Sequence, residues 1–287
     1  MSADGKRAVS IILFVGSVFS PYYAWRGRLK PEDHCTLNVA LYGGPSRWTM
    51  TERGAGTSRR ALGEFQVGPS RVTWDGRGMT VEIDEIAVPH LAPVRGTVRI
   101  EPEALTRFEA VLDSTGHHRW RPYAPLAHVR VDLDSPRLSW EGHGYLDANF
   151  GARPLEADFV HWNWSRSRLS ERARIFYEAD RRDGTHLGLN LGVDPDGSVL
   201  ELGPPPPEAP LPGTLWRVRR KTRSETSARV LQSLEDAPFY SRSMLETHLD
   251  GQRAETVHEA LDLDRFGSRW VKALLPWRMP RATWWGG

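Results

Sequence analysis

Two short stretches carry the side chains best suited to moving protons. One is His117-His118-Arg119-Trp120; the other, residues 140–151, reads Trp-Glu-Gly-His-Gly-Tyr-Leu-Asp-Ala-Asn-Phe-Gly. In an extended chain, side chains two positions apart share a face and lie about 7 Å from one another. His118 then points with Trp120, and Tyr145 with Asp147 and Asn149, while Gly142, Gly144 and Leu146 take the opposite face. An imidazole beside an indole, together with a phenol and a carboxyl, is a set able to donate and accept protons. The same alternation also occurs on strands whose polar face meets water, so spacing alone leaves both readings open. A metal centre at His117, His118 and His143 has less support, because no carboxylate and histidine framework of familiar spacing accompanies them.

These residues need rigid extended elements, and the rest of the chain supplies them. Residues 79–88, 173–179, 186–193 and 198–202 alternate apolar and polar side chains, as strands do. Asp75-Gly76, Asp183-Gly184, Asp196-Gly197 and Asp250-Gly251 punctuate the chain with dipeptides that tolerate positive φ and close tight hairpins. Residues 8–19 follow Lys6-Arg7 and imitate a signal peptide. Their Val, Ile and Phe content, ended by Pro21, reads better as a buried first strand, and the run is too short to span a bilayer. Residues 102–108 and 266–275 are the best short-helix candidates. The proline run in residues 203–213 predicts a loop or connector.

The fold class expected is all-β: an antiparallel, barrel-like architecture in two packed halves with a short C-terminal helix. The expected division is residues 1–152 for an N-terminal β domain carrying the site, 153–265 for a second β domain, and 266–287 for a basic and aromatic tail. The seam falls near Gly151-Ala152-Arg153-Pro154, and no internal repeat is visible.

Composition narrows the function classes. The 287 residues are 39% hydrophobic and 26% charged, ordinary for a folded protein, and a net charge of +2 gives nucleic acid no electrostatic support. Twelve tryptophans suit ligand pockets and membrane interfaces alike. Cys35, the single cysteine, falls in the apolar alternation Cys35-Leu37-Val39-Leu41 and is read as a small core residue in a reducing compartment. In such a compartment the formal glycosylation sequence Asn163-Trp164-Ser165 is accidental.

Several ordered motifs resemble the carotenoid 1,2-hydratase family, also called hydroxyneurosporene synthases. They are residues 33–43 (Asp-His-Cys-Thr-Leu-Asn-Val-Ala-Leu-Tyr-Gly), residues 47–54 (Arg-Trp-Thr-Met-Thr-Glu-Arg-Gly), residues 144–151 followed by Pro154-Leu155-Glu156, and residues 275–281. The resemblance covers nearly the whole chain; Trp277 stands where a Phe is usual, and Trp284-Trp285 are extra. It implies a lipocalin-like fold and cofactor-free hydration of the C1,C2 double bond of acyclic carotenoids such as neurosporene and lycopene. The family's important His and Trp match His118 and Trp120, and its Tyr and Asp match Tyr145 and Asp147.

On that reading Asp147 is the general acid, kept neutral by an apolar pocket, and Tyr145 and His118 hold the acid or the attacking water. Trp120 either faces the carbocation or lines the substrate tunnel. His34, Asn38 and Glu52 stay outside the catalytic set. A carotenoid substrate lies in a bilayer, so the residues from Arg269 to Trp285, mixing basic and aromatic side chains, are expected to form either a peripheral anchor or an internal cap. The location expected is cytoplasmic, against the inner, photosynthetic membrane. Two other readings remain at this stage: a polyene cyclase on a related fold, and a non-catalytic carotenoid carrier.

Overall fold

The alternating segments do form strands. The computed structural model describes residues 1–282. In chain order the strands are β1 (Ala8–Val15), β2 (Cys35–Tyr42), β3 (Arg47–Thr49), β4 (Glu52–Arg53), β5 (Ser58–Ala61), β6 (Glu64–Val67), β7 (Ser70–Trp74), β8 (Met79–Ile86), β9 (Pro93–Pro102), β10 (Ala110–Val111), β11 (His118–Ser135) and β12 (Leu138–Gly151). They continue as β13 (Phe159–Arg168), β14 (Ala173–Arg181), β15 (His186–Val193), β16 (Val199–Glu201), β17 (Glu208–Pro210), β18 (Lys221–Arg223), β19 (Arg229–Asp236), β20 (Tyr240–Leu249) and β21 (Gln252–Asp262). Helices are few and short: α1 (Pro21–Trp25), α2 (Leu155–Asp158), α3 (Leu263–Gly267) and α4 (Arg269–Arg278). The all-β antiparallel class expected from the alternation is the one observed.

The chain divides into two units, and the division is not linear. Unit 1 comprises Met1–Pro102, Ala127–Gly144 and Lys272–Gly287, and unit 2 comprises Glu103–Leu126 and Tyr145–Val271. The linear cuts expected at 152/153 and 265/266 differ from this, because β11 and β12 are long enough for each strand to contribute residues to both units. Residues 118–126 and 145–151, which hold all four candidate site residues, belong to unit 2 rather than to an N-terminal domain.

In unit 1, β1 pairs with β2 so that Ile11 faces Val39 and Leu13 faces Leu37. Leu37 and Val39 pack with Val81, Val98, Val129 and Val131 from β8, β9 and β11 in one apolar core, and Cys35 is buried on the same alternation. Unit 1 also holds the buried ion pair of Arg53 and Glu85. Arg53 Nη1 and Nη2 donate to Glu85 Oε1 and Oε2 at 2.9 and 2.8 Å, and Ser70 Oγ adds a bond to Oε1 at 2.8 Å. Gly68, at φ +59°, leaves room for Arg53, since a Cβ there would lie 2.2 Å from its Nε. Burial pushes the Glu85 carboxyl above its ordinary range, and Arg53 and Ser70 oppose that rise. Arg53→Met is therefore expected to cost about 3 kcal/mol or more of stability at pH 7, by stranding a buried charge. Denaturant titration should find the loss shrinking as pH falls, because the stranded Glu85 can then take up a proton, and little loss when Glu85→Leu accompanies it.

Unit 2 is built on a seven-stranded antiparallel sheet in the order β16-β15-β14-β13-β21-β20-β19. Registers Trp164↔Tyr177, Trp162↔Ala179, Trp164↔Glu259 and Arg242↔Glu259 put Trp162, Trp164, Tyr177, Glu259 and Arg242 on one face. The other face carries Asn163, Ser165, Ser243 and His258, and His258 Nε2 bonds the Lys221 carbonyl of β18 at 2.8 Å. The proline run contributes only β17, half of a two-stranded ribbon with β18, consistent with proline's exclusion from central strands.

Two helix expectations need revision. Residues 102–108 are not helical: Glu103 N and Thr106 N bond the Leu126 and Tyr123 carbonyls, and Thr106 Oγ1 bonds the Pro122 carbonyl at 2.6 Å, so the segment spends its polar groups on β11. The helix expected over 266–275 is two helices, α3 and α4, broken at Ser268, with the Asp262 carboxylate capping α3 by accepting from Arg265 N at 2.9 Å.

Candidate active site

Strand geometry brings three of the four candidates together. Alternation along β11 buries His118 and Trp120 on one side while Arg119 and Arg121 stay exposed. On β12, Tyr145 and Asp147 share the face that meets Trp120. The Trp120 indole Nε1 donates to Asp147 Oδ2 at 2.8 Å, and the Tyr145 hydroxyl donates to the same oxygen at 3.0 Å. Among the described residues Oδ1 makes no hydrogen bond, so the carboxyl is held by one oxygen and offers the other.

Asp147 is not in open water. Burial, opposed by the Trp120 and Tyr145 hydrogen bonds, pushes its pKa up to about 6, and the charges of Glu259 and Arg242 pull in opposite directions. Asp147 and Tyr145 are largely buried yet keep some accessible surface. The Tyr145 phenol is raised well above its usual value, first by burial and then by the Asp147 charge, so it stays a donor. A carboxyl with a pKa of about 6 is half protonated near pH 6 and mostly ionised at pH 7, so burial raises Asp147 toward the neutral acid expected from the sequence without keeping it fully protonated.

His118 does something else. Its Nε2 pairs with Asp158 Oδ2 at 2.8 Å, its backbone N–H donates to Asp113 Oδ1 at 2.7 Å, and its ring lies 5.0 Å from that of Phe159. Arg153 Nη1 reaches the other oxygen of Asp158 at 3.3 Å. The structure thus does not bring His118 to Asp147; it makes His118 the fastener of α2 beside the site strands. Asn149 is exposed, and His34 pairs with Glu52 at 2.9 Å within unit 1. No group of three or more described His, Cys, Asp or Glu residues is arranged to hold a metal ion.

Aromatic side chains surround the carboxyl. Trp120 is fully buried, with Tyr177 5.1 Å away and Phe108 6.4 Å away between ring centroids. Trp164 stands 5.0 Å from Tyr145, and Trp162, only half-buried, 5.7 Å from Tyr177. The reading of the sequence passed over Trp162, Trp164 and Tyr177. The alternation His161-Trp162-Asn163-Trp164 does signal two indoles on one strand face, but nothing local says that this face meets Asp147.

Comparison with known proteins decides the family. The sequence profile of the carotenoid hydratase CrtC matches residues 11–286. The chain belongs to the carotenoid hydratase family. It is 48% identical to the acyclic carotenoid 1,2-hydratase of Thiocapsa roseopersicina, over 98% of this chain and 71% of that protein. It is 45% identical to the enzyme of the same name from Rhodobacter capsulatus, over 96% and 99% of the two chains. A crystal structure from Nitrosomonas europaea assigned as an AttH superposes with a TM-score of 0.61 at 14% identity, covering 91% of this chain and 88% of that one. That likeness shows the fold alone, the lipocalin-like class expected of this family.

Proposed function

We propose that this chain is an acyclic carotenoid 1,2-hydratase in which Asp147 protonates the terminal double bond. The observation that carries the mechanism is the carboxyl tethered twice through Oδ2, with its acidity reduced by burial to a pKa of about 6. Oδ1–H gives its proton to C2; the π electrons form the C2–H bond and leave a tertiary cation at C1. Water adds to C1 through oxygen and returns a proton to the carboxylate. Both the added hydrogen and the added hydroxyl come from water, so the balance needs no cofactor. Trp120 and Tyr145 aim the acid and then stabilise its anion with two charge-assisted hydrogen bonds. His118 acts at one remove, as a positioning residue through Asp158 and α2. The half-buried Trp162 is better placed than the enclosed Trp120 to offer an indole face to a cation.

Membrane contact through α4 supplies the substrate. Trp270, Leu274 and Trp277 are exposed at 50, 46 and 80% and spaced four and three residues apart, which lines them up on one helix face. Arg269, Lys272 and Arg278 flank them. Within unit 2 the exposed Trp216 lies 6.3 Å from Trp270, and the exposed Leu215, Arg217 and Arg219 adjoin it in sequence. Basic residues around apolar ones suit an anionic lipid interface. No described helix is long and apolar enough to cross a membrane. Trp284 and Trp285, expected to join the anchor, lie outside the described residues.

One incubation tests the hydratase assignment: purified protein, lycopene or neurosporene in anionic lipid vesicles, and heavy-oxygen water. The expected product carries labelled oxygen at C1. A cyclised product without label, or carotenoid bound stoichiometrically and released unchanged, would overturn the hydratase assignment. Trp270→Ser with Trp277→Ser is expected to weaken vesicle binding by about tenfold or more, through lost apolar burial; unchanged binding would remove α4 from the interface.

A further inference from the structure

Tyr177 on β14 is 2% exposed, and its hydroxyl has no hydrogen-bond partner among the described residues. Buried phenols ordinarily find one. The ring is well used, packed 5.1 Å from Trp120 and 5.7 Å from Trp162, but phenylalanine would fill that space equally. What needs explaining is the oxygen. Burial first, then the negative charges of Asp147 and Glu259, hold the phenol protonated well above its usual range. Tyr177 packs on Trp120, whose N–H holds Asp147, on the aromatic face of the sheet, and its neutral hydroxyl, a donor and an acceptor, has no partner among the described residues.

We propose that Tyr177 binds the water that captures the C1 cation. This rests on the hydratase reading above and adds the group that reading lacks, since Tyr145 and Trp120 are both committed to Asp147 Oδ2 and His118 to Asp158. The water donates one hydrogen bond to the Tyr177 oxygen, which turns a lone pair toward C1. As the C1–O bond forms, the oxonium loses its other proton to the Asp147 carboxylate and the acid is restored. Tyr177 keeps its own proton throughout.

The test is Tyr177→Phe, assayed with lycopene vesicles in deuterated water. Protonation by Asp147 does not need the phenol, so the variant should still form the cation. Lacking a held water, the cation returns its proton instead. Hydration is expected to fall on the order of a hundredfold, while deuterium accumulates at C2 of the recovered carotenoid beyond the wild-type level. The thermal midpoint should be unchanged or higher, because an unpartnered buried hydroxyl has been removed. Hydration at the wild-type rate would overturn the proposal. So would a parallel loss of hydration and exchange, which places the defect before the cation, or a lowered midpoint, which makes the hydroxyl structural. If the wild-type protein forms no labelled alcohol at all, the hydratase reading itself fails, and Tyr177 with it.

Discussion

Asp147→Asn is expected to reduce hydration by about a thousandfold, in the range that general acids contribute, because an amide keeps the two bonds' geometry but has no proton of useful acidity. The wild-type pH profile should show the same group. With a pKa of about 6, the acid form dominates below pH 6, and kcat/KM should fall about tenfold for each unit above it. The stability sign runs the other way from that of a salt-bridged carboxylate. The folded pKa lies above the unfolded value of about 3.9, so folding is penalised as pH rises from about 4 to about 6, and the penalty is complete above that window. Asp147→Asn removes it, and its thermal midpoint should exceed that of the wild type at pH 8 but not at pH 4. An inactive variant that is more stable at pH 8 cannot be dismissed as misfolded. A variant retaining more than a few per cent of turnover would take direct proton donation away from Asp147.

Much of this was legible from alternation, and its failures have a common physical origin. The face shared by Tyr145 and Asp147, the face shared by His118 and Trp120, the burial of Cys35 and the strands at 173–179 and 186–193 follow from the period of an extended chain. Which side chains meet across strands does not. His118 looks like a partner for the acid until Asp158, forty residues on, takes its Nε2. Trp162 and Tyr177 join the site through the register of β13 with β14, which no local pattern reveals. The division into units escaped a linear reading because long strands contribute to both units. The helix expected over 102–108 lost to long-range backbone bonds with β11, a competition in which local propensity is a weak term.

Trp120→Phe and Trp120→Leu are expected to be almost equally impaired, and the near-equality is the informative result. Trp120 has no accessible surface, so its indole face is spent on Tyr177 and Phe108, and what it brings to Asp147 is a single N–H. Both variants lose that donor. A hydrogen bond to a charged group contributes about 1.5–3 kcal/mol, so both should lose roughly tenfold to a hundredfold in kcat/KM. A cation held against the indole would predict something different: Phe, which keeps an aromatic face, would outperform Leu by about 30-fold, equivalent to about 2 kcal/mol of desolvated cation–π attraction. The pH profile separates the roles again. The Trp120 N–H lowers the Asp147 pKa, so removing it should move the alkaline fall in activity to a pH above that of the wild type in both variants. A profile that stays in place while activity falls would mean that Trp120 serves the substrate rather than the acid.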